Sequence, residues 1–126
     1  MDTHVWLWHA GGSDRLPRGL RTAVDAAIGH LWYSPISVWE IGMLHVRGMV
    51  KLEGGPHAWL EKAPTRFPLE EAALTREVAV RSTELDLGHW DPADHVLAAT
   101  ALVHGLTLVT LDERLRDAGW LPTRSD

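Results

Sequence analysis

The sequence has no cysteine among its 126 residues, and this absence excludes several classes of protein. A disulfide framework, a thiolate zinc site and a catalytic cysteine are all impossible without it. Long apolar runs are missing too, and nothing approaches the roughly 18 residues of a membrane span. A charged residue directly follows Met1, so no signal peptide is visible. We therefore expect a cytoplasmic protein that has no membrane partner.

Several sequence motifs of common enzymes are also missing. There is no G-x-x-x-x-G-K-[ST] and no G-x-G-x-x-G, so the sequence does not support a phosphate-binding loop for a nucleotide. There is no G-x-S-x-G either, so it does not support a serine hydrolase of that type. The eight histidines include no H-E-x-x-H zinc motif. What remains is a chain of ordinary apolar content, 45%, which is long enough to form a single domain over residues 1–126.

The net charge of −5 argues mildly against a nucleic-acid binder, which usually carries a basic surface. Metal would neutralise some of the acids if they form a cluster, which weakens the objection. The basic residues also occur in groups, and a solvated helix face is the simpler explanation for each group. The groups are Arg15, Arg18 and Arg21, then Arg47 and Lys51, then Arg114 and Arg116.

Short apolar runs alternate with helical patterns along the chain. Strands are predicted over residues 1–3, 31–34, 66–69 and 106–110, with an edge strand over 120–123. Helices are predicted over 5–10, 17–28, 37–47, 58–63, 70–81, 92–104 and 113–118, with a loop over 82–90. This alternation predicts an α/β fold, a parallel sheet of four or five strands flanked by helices.

Four acidic residues lie at boundaries between these elements: Asp2, Glu40, Asp94 and Asp112. Two follow predicted strands and two lie in first turns of helices, so all four are expected at the carboxyl end of the sheet. Clustered carboxylates repel one another unless a cation lies between them. Hard divalent ions such as Mg²⁺ prefer oxygen ligands. The pattern therefore favours a metal-dependent hydrolase that acts on a phosphodiester.

Three of these acids also have a purely structural explanation. Asp94 ends the helix start D-P-A-D, where an acid suits the helix dipole. Glu40 ends S-V-W-E, which matches a capping box, and Asp112 can cap the helix that follows it. Taken singly, each is better explained as a capping residue. Asp2 is harder to explain in this way, and the shared position of all four favours a joint role.

The aromatic residues and histidines are less informative. Trp6, Trp39 and Trp59 lie in predicted helices among aliphatic residues, which favours core packing over base stacking. Trp90 lies in a predicted loop and is expected to be the most accessible tryptophan. His4 and His95 neighbour candidate acids and could help to position a substrate, but a structural or merely local role is the better explanation of both.

At these residues the chain resembles the PIN-domain ribonucleases, specifically the VapC-like toxins of toxin–antitoxin pairs. The matching strings run from end to end, in the family's order and spacing. They are D-T-H-V-W-L-W at 2–8, S-V-W-E-I at 37–41, W-L-E-K-A at 59–63, D-P-A-D-H-V-L-A-A-T-A at 91–101 and L-T-L-V-T-L-D at 106–112.

The resemblance implies a PIN-like three-layer sandwich and a Mg²⁺- or Mn²⁺-dependent endoribonuclease that cleaves RNA with a metal-activated water. The family's metal-binding acids correspond to Asp2, Glu40, Asp94 and Asp112, with Asp91 as the adjacent helix cap. Asp2 and Asp94 are expected as direct ligands, Glu40 as a ligand through water or a base, and Asp112 as the residue that completes the site. A homodimer and a small VapB-like antitoxin partner are also implied.

The chain departs from the family's pattern in two places. Relatives usually carry three or four apolar residues before the first acid, which form a central strand, whereas only Met1 precedes Asp2 here. Either the start is displaced or the strand is cut short, and a cationic amino group beside Asp2 would weaken its hold on metal. Many relatives carry arginine directly after the third acid, where this chain has His95.

Two other functions remain open from the sequence. An inactive PIN domain could bind RNA or a partner protein without cutting, which the short first strand would favour and the four retained acids argue against. The other alternative is a metal-dependent phosphatase that acts on small phosphate compounds, although the D-x-D start that such enzymes often show is missing.

Overall fold

The computed structural model describes residues 1–66 and 68–126, and side chains outside 63–67. Helices and two-residue strands alternate along the described chain. The helices are α1 (Thr3–Ala10), α2 (Arg18–Ala26), α3 (Pro35–Val46), α4 (Gly55–Arg66), α5 (Arg76–Glu84), α6 (Pro92–His104) and α7 (Glu113–Arg116). The strands are β1 (Trp32–Tyr33), β2 (Glu70–Glu71), β3 (Leu108–Val109) and β4 (Thr123–Arg124). The α/β class predicted from the alternation is confirmed.

Two parallel strand pairs replace the continuous sheet of the sequence prediction. β1 pairs with β2, and β3 pairs with β4. Met1 and Asp2 lie between the pairs, because the amino group of Met1 donates to Trp32 O at 2.9 Å and Asp2 N donates to Val109 O at 2.9 Å. The spatial order is therefore β2, β1, residues 1–2, β3, β4. The predicted strand over 1–3 is wrong, because α1 already begins at Thr3.

Burial changes the expected effect of the amino group beside Asp2. The amino group of Met1 is enclosed between the strand pairs, and this burial lowers its pKa to about 6. At neutral pH it is mostly uncharged. The expectation that a cationic amino group would weaken metal binding by Asp2 is therefore not supported.

The apolar side chains form two buried clusters. One cluster joins α1, α2 and α3 through Val5, Trp6, Leu20, Val24 and Ile41, and Leu52 completes it from the chain ahead of α4. The other joins α6, β3 and α7 through Leu97, Ala98, Leu108 and Leu115, with Leu121 beyond them. The side chains of both clusters pack between helices and strands. This packing fixes the positions of the helix starts and of the strand ends.

The segment after α4 differs most from the sequence prediction. The predicted strand over 66–69 is displaced, because Arg66 still belongs to α4 and the strand forms at Glu70–Glu71; residue 67 lies outside the described residues. The predicted helix over 70–81 begins only at Arg76, where Thr75 Oγ1 accepts from Val78 N at 3.2 Å. Glutamate and alanine favour helix locally, but parallel pairing of Glu70 and Glu71 with β1 prevails.

The remaining elements were predicted closely. The helix over 92–104 has the predicted bounds, with Asp91 as its cap and Gly105 as its end. The last strands form at Leu108–Val109 and Thr123–Arg124, within or just beyond the predicted segments. None of the helices in the described part of the chain is long and apolar enough to cross a membrane. An open cavity of about 230 Å³ separates β1 from β3 beyond Met1 and contains no acidic side chain.

We expect Gly105→Ala to destabilise the protein. Gly105 ends α6 with a φ of +66°, a left-handed conformation that costs other residues about 1–2 kcal/mol. The free energy of unfolding, measured by urea denaturation, should fall by about this amount. Gly119→Ala is the control, because Gly119 lacks a positive φ and a Cβ there meets nothing within 4 Å. Equal effects of both substitutions would show that the backbone conformation of Gly105 is not the cause.

Candidate active site

One open cavity of about 300 Å³ brings the candidate acids together. All four of them line it, and Asp91, Arg114, His4 and Trp8 complete much of its wall. Asp2 and Asp112 come from the chain flanking β3, and the other two from α3 and α6. The shared position expected from strand ends and helix starts is what the structure has, whereas the chemical role of each acid stays a prediction.

Asp2 does not cap the helix that follows it. Its backbone precedes α1, yet its side chain makes no capping hydrogen bond. Instead its carboxylate accepts from the buried Thr110 Oγ1 at 2.7 Å. Thr110 Oγ1 in turn accepts from Asp112 N at 3.0 Å, so one hydroxyl connects two of the acids. Asp2 is thereby held toward the cavity rather than toward its own helix.

Glu40 is not part of a capping box, and that interpretation was wrong. α3 begins at Pro35, where the Ser34 side chain accepts from Ile36 N and acts as the cap. Glu40 therefore lies in the second turn, beyond the orphan N–H groups. Its carboxylate accepts from Thr3 Oγ1 at 2.6 Å, and that hydroxyl also lies 2.9 Å from Ser37 Oγ. With the capping role gone, no structural explanation from the sequence remains for Glu40.

Asp94 and Asp91 divide the roles within D-P-A-D. Asp91 is the cap, because its Oδ1 accepts from Ala93 N at 3.0 Å and from Asp94 N at 3.4 Å. Asp94 is only 8% exposed, and its carboxylate faces His89 Nε2 at 2.9 Å. The Nη2 of Arg114 lies farther away, 3.5 Å from the same oxygen. A buried carboxylate that does not cap its helix is available for another role.

Asp112 combines a structural role with its place in the cavity. Its Oδ1 accepts from Arg114 N at 2.9 Å, so Asp112 caps α7, and the capping role predicted from the sequence is confirmed. The Arg114 guanidinium also donates two hydrogen bonds to the Asp112 carboxylate, from Nε at 3.2 Å and from Nη2 at 2.9 Å. Hydrogen bonding to Arg114 is the main reason that the pKa of Asp112 lies below its ordinary value.

Two of the other acids, Glu40 and Asp94, have the opposite shift. Burial is the main reason that the pKa values of Glu40 and Asp94 are raised. Hydrogen bonds from Thr3 and His89 lower them in part, and the neighbouring carboxylates raise them further. The cavity thus contains crowded negative charge that a bound cation would relieve.

The sequence interpretation missed two residues of this site, Arg114 and His89. Arg114 was assigned to a solvated face, yet its guanidinium lies between Asp94 and Asp112 and acts as their counter-ion. Its position two residues after an expected cap was the available signal. His89 lies in the loop before α6, and no local pattern indicates its contact with Asp94.

His95, in contrast, is a packing residue, with ring nitrogens 3.2 Å from Ser82 O and 2.7 Å from His89 O.

The donor set fits a hard divalent ion in its chemistry. Carboxylate oxygens are the ligands that Mg²⁺ and Mn²⁺ prefer, and repulsion among the neighbouring carboxylates adds to the burial that raises the pKa values of Glu40 and Asp94. Within residues 1–66 and 68–126, no three acids or histidines already surround a single point. Each carboxylate instead accepts from a hydroxyl, imidazole or guanidinium group of the protein. A bound ion would compete with Arg114 for Asp112.

Comparisons with known proteins identify the family and the fold. A family model described as PIN domain matches residues 1–121. The chain is 31% identical over 117 residues to a protein named Ribonuclease VapC22 from Mycobacterium tuberculosis, covering 92% of this chain and 88% of that protein. It also resembles the crystal structure of VapBC2 from Rickettsia felis bound to a DNA fragment from their promoter. That match has a TM-score of 0.70, covers 97% of this chain and 93% of the other, and at 15% identity supports the fold alone.

We expect Glu40→Gln to raise the melting temperature in EDTA at pH 7 but not at pH 4. The folded pKa of Glu40 lies above its unfolded value, so the folded state loses stability as the pH rises through that window. Glutamine does not ionise, so the variant does not lose this stability, and its amide oxygen can still accept the hydrogen bond from Thr3. The control is Glu53→Gln, an exposed position outside the cavity. A pH-independent effect of Glu40→Gln would contradict the charge argument.

Proposed function

Because the chain belongs to the PIN-domain family, we propose that it is a divalent-metal-dependent endoribonuclease and the toxin of a toxin–antitoxin pair. The observation that carries this proposal is the convergence of Asp2, Glu40, Asp94 and Asp112 in one cavity. Only one of the four uses its side chain as a helix cap. The name of the Mycobacterium tuberculosis relative supports ribonuclease activity over other hydrolase chemistry.

In the proposed mechanism, Asp2 and Asp94 would hold Mg²⁺ or Mn²⁺ directly, Glu40 would act through water or as a base, and Asp112 would complete the site. The bound ion would supply Lewis acidity to the phosphate and lower the pKa of water. Thr110 and Thr3 orient the carboxylates of Asp2 and Glu40 by hydrogen bonds. His89 orients Asp94 in the same way.

Arg114 has a second role in this proposal. In the metal-free protein its guanidinium neutralises Asp112 and approaches Asp94. With a divalent ion held by the carboxylates, Arg114 would be free to turn toward the phosphate of the RNA. Its side chain is 55% exposed, so it can move without disturbing the core. A planar guanidinium suits a phosphate because it can donate two parallel hydrogen bonds.

We further propose that residues 1–126 form a single domain that acts as a homodimer in the cytoplasm, where its RNA substrate is found. A small VapB-like antitoxin is the proposed inhibitor. The Rickettsia felis structure contains a VapBC2 complex, which supports this class of partner by analogy. If a short reading frame lies directly upstream of the gene, its co-expression tests the pairing, and relief of growth inhibition is the expected result.

The alternative function is a PIN domain that binds RNA or protein without cutting it. The observation that favours it concerns residues 1–2, which make one backbone hydrogen bond to β1 and one to β3. Little backbone pairing therefore holds Asp2 in place. Incubation with RNA and with a small phosphate ester, with and without Mg²⁺, separates the hypotheses. Metal-dependent cleavage of RNA alone supports the nuclease, and cleavage of neither supports the binding module.

We expect Asp94→Asn to abolish RNA cleavage and growth inhibition while the protein stays folded. A neutral amide is a poor ligand for a hard cation. The loss should be about a hundredfold or more, because even outer-shell partners of a metal site cost roughly 10- to 100-fold. Asp91→Asn is the matched control, since asparagine caps a helix as well as aspartate. Equal losses in the two variants would overturn the division between ligand and cap.

We expect Arg114→Ala to bind Mn²⁺ with a several-fold lower Kd while it cleaves RNA more slowly. The substitution removes a competing cation from Asp112 and Asp94, but it also removes the group proposed to contact phosphate. Calorimetric titration measures the first effect, and a Mg²⁺-dependent rise in melting temperature checks it. Arg116→Ala is the control, an exposed arginine of the same helix outside the cavity. Weaker Mn²⁺ binding by Arg114→Ala would contradict the competition.

A further inference from the structure

A second cavity, of about 260 Å³, adjoins the acidic one. The two cavities share His4, Glu40 and Asp91, so they are neighbouring parts of one surface depression. The second is lined mainly by apolar atoms, and much of this lining comes from α3. Its position places it beside any phosphate bound at the acids.

Trp39 is the most unusual residue of this second cavity. The sequence predicted it to pack in the core, yet 57% of its surface is exposed, so that prediction was wrong. α3 instead buries Ser37 and Ile41. Trp39, Met43 and Arg47 follow one another at four-residue spacing and therefore lie on one face of the helix. An exposed indole at the edge of a cavity offers a flat surface for another ring.

Arg47 is the cation of the second cavity. It lies at the end of α3, is exposed and lines the cavity, whereas Glu40 and Asp91 lie at the edge shared with the acidic cavity. A strand of RNA that places one phosphate at the acids carries its next phosphate about one nucleotide away, where a cation is favourable. The continuity of the two cavities therefore favours RNA as the occupant, since the same strand can reach the acids, Trp39 and Arg47.

We propose that this second cavity is a nucleobase subsite for single-stranded RNA. The base beside the cleaved phosphate stacks on Trp39, and the adjoining phosphate pairs with Arg47. Base–aromatic stacking tolerates different bases, and it would set the register of the strand over the acids. This inference rests on the proposed ribonuclease function and adds to it the residues that hold the substrate.

The test measures binding of a fluorescent single-stranded RNA by anisotropy, in EDTA and low salt so that no cleavage occurs. Trp39→Ala should weaken binding about tenfold, the typical value of one base stacked on an aromatic ring. Trp39→Phe should recover part of this loss because phenylalanine also stacks. Trp120→Ala is the control, a 41% exposed tryptophan that lines neither cavity.

A set of RNAs with single abasic positions sharpens the test. One abasic position should weaken binding by the wild-type protein and have no further effect on Trp39→Ala, because the same stacking is removed twice. Binding and cleavage unchanged in Trp39→Ala would overturn the subsite alone. A change in oligomeric state of Trp39→Ala without loss of RNA binding would overturn it in favour of a protein interface. Absence of both RNA binding and cleavage in the wild-type protein would overturn the proposed function itself.

Discussion

Two backbone hydrogen bonds at the amino terminus connect the halves of this structure. The Met1 amino group donates to β1 and Asp2 N donates to Val109 in β3, so residues 1–2 link one strand of each pair by backbone hydrogen bonds. The same short segment carries the first acid of the candidate site. Fold and site therefore depend on one constraint, since a shift of residues 1–2 would move Asp2 and loosen the contact between the two strand pairs at once.

Charge repulsion is the second organising feature, and the protein balances it locally. Burial of Glu40 and Asp94 opposes their ionisation, while Thr3 and His89 offset part of that cost through hydrogen bonds. Arg114 supplies the positive charge for Asp112. This arrangement lets four carboxylates line one cavity.

Helix starts explain why the sequence was both informative and misleading about the acids. The D-P-A-D string correctly placed Asp91 as a cap and left Asp94 free. The S-V-W-E string suggested a cap for Glu40, but Ser34 and Pro35 begin that helix earlier. Both strings match the same local preferences. The earlier start follows from a second local signal, because Ser34 caps the helix and Pro35 suits its first position.

The sequence by itself determined the α/β alternation, the long helix before Gly105 and three of the four acids at element boundaries, because these follow from local apolar patterns and backbone preferences. Tertiary structure decided the rest. Pairing with β1 made Glu70 and Glu71 a strand despite their helical preference. A contact across 20 residues brought Arg114 to Asp94, and packing left Trp39 exposed at the edge of the neighbouring cavity. Contacts between residues distant in the chain depend on packing and charge across the whole molecule, and no local pattern encodes them.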